Sequence, residues 1–94
     1  MHKLIAQALI KEYPFVQGHI TCRKWLNSES ITVEFKGSTS EPNFRNITKY
    51  LKQFNYFDKV EYTFSEALNG KGNVYARKKI TGVNSPLPLE EISL

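Results

Sequence analysis

Ninety-four residues, 40% hydrophobic, 23% charged and 13% aromatic, make one small domain with a single core and little room for an enclosed pocket. That balance excludes disordered, collagen-like and coiled-coil classes, and no run of about 18 apolar residues exists to cross a membrane. The net charge of +4 is unevenly spread, because all 13 Lys and Arg lie at or before Lys79 while Glu90 and Glu91 fall near the end.

Leu4, Ile5, Ala8 and Leu9 repeat at helical spacing and predict a helix over 2–13, which Pro14 ends. Two strands follow, at 19–25 and 30–36, joined by the turn-forming Leu26-Asn27-Ser28-Glu29. Ile31, Val33 and Phe35 alternate with Thr32, Glu34 and Lys36; Ile20 and Cys22 share the apolar side opposite Thr21, Arg23 and Trp25. Ser40 is the expected N-cap of the next helix, its hydroxyl accepting an orphan backbone N–H, with Glu41 and Pro42 suited to the first turn. Phe44, Ile47, Leu51 and Phe54 predict that helix over 43–54.

Residues 59–64 alternate again, with Val60, Tyr62 and Phe64 on one side. Residues 73–80 set Val74, Ala76 and Ile80 against Tyr75, Arg77 and Lys79. Asn69-Gly70 between the two strands asks for positive φ and predicts a second hairpin. Residues 81–85 read as a linker and Pro86-Leu87-Pro88-Leu89 as extended chain, giving a single α+β domain over 1–80 and an extended, Pro-containing tail over 81–94. The expected architecture is a two-layer sandwich in the order αββαββ. It has a four-stranded antiparallel sheet with both helices on one face and the other face solvated.

The chemistry of catalysis is thin. His19 and Cys22 lie three apart, which on a strand points them to opposite faces, so no metal site is read. The same spacing opposes a thiol–imidazole pair, and Asn69-Gly70-Lys71-Gly72 is too short for a phosphate-cradling loop. No catalytic residue and no cofactor is expected, and the chain reads as non-enzymatic. The lone cysteine and the lack of a long apolar run at Met1–Ala6 fit a cytoplasmic protein without membrane attachment.

A binding surface is better supported. Arg23, Trp25, Tyr75, Arg77 and Lys79 have the parity opposite to the core residues. Lys78 falls on the core side, yet near a strand end, where a long stem can carry its charge out. Rings interleaved with cations suit a single-stranded nucleic acid, because bases stack while cations hold phosphates. The same residue types make protein hot spots, and Trp25 and Tyr75 could instead pack on each other across strands. Arg45, Lys49 and Lys52 form a second basic stripe along the second helix.

Three segments carry a family resemblance over residues 4–54. Ala8-Leu9-Ile10-Lys11-Glu12-Tyr13-Pro14-Phe15-Val16 is similar to a helix running into a Phe-Pro-Gly-Val-like turn. Ser28-Glu29-Ser30-Ile31-Thr32-Val33-Glu34-Phe35 resembles a Ser-Ser-Ile-Asp-Val-x-Trp strand, with Phe35 where the pattern has tryptophan. Gly37-Ser38-Thr39 resembles its polar loop into a helix. These features resemble a small α/β domain associated with large polyvalent proteins of phages and conjugative elements. The resemblance implies a non-enzymatic accessory of a mobile element acting near invading DNA, in a host cytoplasm, and it implies no site residues. The partner expected is nucleic acid or a nucleic-acid-bound protein complex. The alternative is an anti-defence, anti-CRISPR-like inhibitor that binds a host nuclease complex directly. An exposed edge strand would also allow pairing into a homodimer.

Overall fold

The computed structural model describes residues 1–80 and 87–94; the linker expected at 81–85, with Pro86, lies outside the described residues. Helix α1 spans His2–Glu12 and runs into a short 3-10 turn at Pro14–Val16. Strands β1 (Ile20–Lys24) and β2 (Ser28–Phe35) follow, then helix α2 (Glu41–Lys52), then strands β3 (Lys59–Ser65), β4 (Lys71–Lys79) and β5 (Glu90–Ser93). Among the described residues no helix is long and apolar enough to cross a membrane.

The α+β class and the two hairpins are as the sequence predicts, but the sheet has five strands, in the order β3-β4-β2-β1-β5, every neighbouring pair antiparallel. The fifth strand comes from the segment expected to be tail. Only four residues long, it adds to the free edge of β1, pairing Ile92 with Cys22 and Glu91 with Arg23. So short a strand behind two prolines carries almost no periodic signal; its formation depends on the donors and acceptors that β1 offers.

The core lies on one side of the sheet. Ile20, Cys22, Ile31, Val33, Val74 and Ala76 face Ile5, Ala6 and Leu9 of α1 and Phe44, Ile47 and Leu51 of α2, all buried in one cluster. The buried stripe of α1 is His2, Ile5, Ala6 and Leu9 rather than the stripe through Leu4, which is 69% exposed. Both sets fit helical spacing; tertiary packing chose between them. The Phe44 ring stacks near Tyr62 and meets Phe35 and Phe64 at 5.7 and 5.6 Å. It also lies on Gly72, where a Cβ would come 3.0 Å from Phe44 Cζ.

Three local expectations change. Ser40 is the N-cap of α2, but its hydroxyl makes no capping hydrogen bond; its backbone carbonyl accepts from Asn43 N at 3.1 Å. Helix α2 ends at Lys52, leaving Phe54 38% exposed, and Ile80 is 47% exposed past the end of β4. The β3–β4 turn does take positive φ, at Asn69 (57°) and Gly70 (84°). Gly70 abuts the β2–α2 loop so closely that a Cβ would stand 2.0 Å from Thr39 O, and Ser38 N donates to Asn69 O at 2.6 Å. Only glycine meets both demands there.

Candidate nucleic-acid interface

Among the described residues no helix packs on the other face of the sheet, and strand parity decides what it shows. Register places Arg23 and Arg77 on either side of Ser30, with Glu91 beyond Arg23 and Lys59 beyond Arg77. The next row is Thr21, Thr32, Tyr75 and Glu61, and Lys79 stands opposite Ser28. Trp25 N donates to Ser28 O at 2.8 Å, which closes the β1–β2 turn and brings the indole to the same face. Trp25, Asn27, Ser28, Tyr75 and Arg77 line a shallow cleft of about 220 Å³. Ser28 Oγ donates to Asn27 Oδ1 at 3.3 Å across its floor.

The two rings at this cleft differ from all others. Every aromatic residue except Trp25 and Tyr75 packs against another ring, in a chain running from Tyr13 and Phe15 through Phe35 and Phe44 to Phe64, with Tyr50–Phe54 and Tyr56–Phe57 beside it. His19 joins that chain, stacked on Phe35 at 4.3 Å. Trp25 and Tyr75 are half-buried, and they make no ring contact with each other. Cross-strand packing of that pair is therefore not what holds them.

The cations of the face are in two states. Arg77 and Lys79 are exposed and in no ion pair among the described residues. Arg23 donates from Nε to Glu91 Oε1 at 2.9 Å and from Nη1 to Thr32 Oγ1 at 3.4 Å. Lys59 pairs with Glu61 at 3.3 Å. Backbone support comes from Asp58, whose Oδ2 accepts from Lys79 N at 2.6 Å and fixes the end of β4.

The remaining sequence candidates lie elsewhere. Lys78 faces the helix side, its Nζ 5.4 Å from the centre of the Tyr56 ring, so it does not join Arg77 and Lys79. Arg45, Lys49 and Lys52 are on α2, the layer behind the sheet, and Arg45 donates to Glu41 Oε1 at 3.1 Å.

A buried polar cluster on the helix side escapes the sequence reading. Tyr56 donates its hydroxyl to Glu29 Oε1 at 2.6 Å, and His2 Nδ1 stands 3.2 Å from the same oxygen without hydrogen-bond alignment. Burial and the Glu29 carboxylate push the Tyr56 phenol up to about 12. Burial alone would raise Glu29, but the Tyr56 hydrogen bond and the nearby His2 and Lys24 charges hold it below the usual carboxylate range. Burial lowers His2, against the opposing pull of Glu29. The signal was present: Glu29 continues the parity of Ile31 and Val33, but assigning it to the turn hid that. Cys22 is fully buried and burial raises its thiol, which leaves it unreactive.

Among the described residues, the open face offers two rings without ring partners, two cations outside any ion pair and small hydroxyl side chains. No family model, no curated protein and no solved structure matches this chain.

Proposed function

We propose that this protein is a non-enzymatic module that binds single-stranded nucleic acid on the open face of its sheet, as an accessory of a phage or mobile element. The observation that carries the reading is the pair of rings left without ring partners, Trp25 and Tyr75, beside the unpaired Arg77 and Lys79. Half-buried rings on a sheet offer flat surfaces at little entropic cost, and a base stacked on one gains about 1–3 kcal/mol. Cations two residues apart on one strand share a face and follow a phosphate backbone. The surface holds mixed charge towards β5, with Glu91 on Arg23, and this favours a second reading: a nuclease-complex inhibitor that docks by the same face.

The test is fluorescence anisotropy of a labelled single strand titrated with the protein at several salt concentrations. Affinity that falls steeply with salt, and is weaker for duplex of the same length, is the expected result. Affinity independent of salt would overturn the electrostatic reading. A host protein retained on the bait after nuclease digestion, without strand binding, would favour the inhibitor.

A further inference from the structure

We infer that Arg23, Ser30 and Arg77 form the seat for one backbone phosphate of the bound strand, and that the Glu91 carboxylate is the group this phosphate replaces. The inference rests on the reading of the open face as a single-strand interface. Ser30 pairs with Arg23 on one side and Arg77 on the other, so all three side chains leave the sheet on the same face. Strand spacing sets the two arginine Cα atoms about 10 Å apart, a gap that two long guanidinium arms close onto one tetrahedral anion.

Ser30 is the part that packing does not explain. It is 0% exposed, and its Oγ has no hydrogen-bond partner among the described residues, a condition it shares with Thr48 Oγ1 and the His2 ring on the helix side but with no other group of the open face. A buried hydroxyl left unpaired destabilises a fold, and alanine would fill the position without that penalty. A phosphate oxygen that enters as the two arginine side chains part supplies the missing acceptor. Glu91 shows that the seat takes an anion: its carboxylate already accepts from Arg23 Nε at 2.9 Å. It reaches one guanidinium only, its side chain is half exposed, and it belongs to a four-residue edge strand. A phosphate that meets Arg23, Arg77 and Ser30 together makes more charge-assisted bonds than the carboxylate does.

The experiment uses the full chain and two labelled strands of equal length, one of thymidylate and one abasic, so that the second presents phosphates without bases. Glu91→Gln is expected to tighten both strands about two- to fivefold, as removal of a partly exposed competing ion pair should. Ser30→Ala is expected to weaken both about two- to tenfold while the melting temperature stays level or rises. A merely structural serine would not give that opposite movement. Arg77→Gln should weaken both and reduce the salt slope by about one. Wild-type affinity for the abasic strand in both Glu91→Gln and Ser30→Ala would overturn the seat, even with thymidylate binding intact. Equal affinity for the two strands, with both variants acting as expected, would keep the seat and overturn base stacking on Trp25 and Tyr75. Failure of both strands to bind would overturn both.

Discussion

The two faces of this sheet use the same residue types for different ends. On the helix side every ring lies against another ring, and three of the charged groups are answered: Lys3 pairs with Glu90, Lys78 lies over Tyr56, and Tyr56 donates to Glu29. On the open side, among the described residues, two rings and two cations have no such partner, and the buried Ser30 hydroxyl is left unpaired. The helix side keeps unpaired buried atoms too, at His2 and Thr48, but there the packed layers close over them, whereas Ser30 lies beside the exposed Arg77. The faces should therefore separate under mutation, with stability changing for one and binding for the other.

The largest effect expected is on the helix side. Phe44→Ala removes the ring that joins Phe35, Phe64 and Gly72, and should cost about 3–5 kcal/mol in urea denaturation. Next comes the open face: Trp25→Ala or Tyr75→Ala should each cost about 1–3 kcal/mol of strand affinity, read by anisotropy, with the melting temperature nearly unchanged. Loss of stability comparable to that of Phe44→Ala would break the contrast.

Tyr56→Phe should cost about 1–2 kcal/mol of stability by leaving the buried Glu29 carboxylate without its donor. The cluster also sets the pH dependence. An unfolded His2 takes a proton near 6.5, the folded one only at lower pH, so stability is full above 6.5 and falls as pH drops below it. Glu29, held below its ordinary 4.5, adds to the loss in more acid solution. Tyr56, raised to about 12 from 10, makes stability fall again between those values, and Tyr56→Phe should remove that alkaline limb in a urea titration across pH. Smallest of all, Lys49→Gln and Lys52→Gln should change stability by less than about 0.5 kcal/mol. They should leave strand affinity at the wild-type value, because α2 lies behind the sheet.

Much of this was legible in the sequence, and the failures have physical causes. Period-two alternation set the parity of Arg23, Tyr75 and Arg77 correctly, since one slip would have turned the whole strand over. Asn69-Gly70 announced its turn through a backbone geometry few residues accept. The stripe of α1 was misjudged because Leu4 and His2 both fit the helical period, and only contact with the sheet distinguishes them. The fifth strand was invisible, since four residues added to an existing edge need no strong propensity of their own. Ser30 could not have been noticed from spacing at all; its significance lies in having no partner.

The most direct test exploits a chain with one tryptophan, placed at the cleft. Titrating the protein with an unlabelled single strand while recording Trp25 emission asks whether a base reaches that ring. Quenching that saturates, that added salt reverses, and that duplex of the same length does not reproduce is the predicted result. Emission that stays constant while the strand binds would show that the nucleic acid lies elsewhere, and would contradict the account.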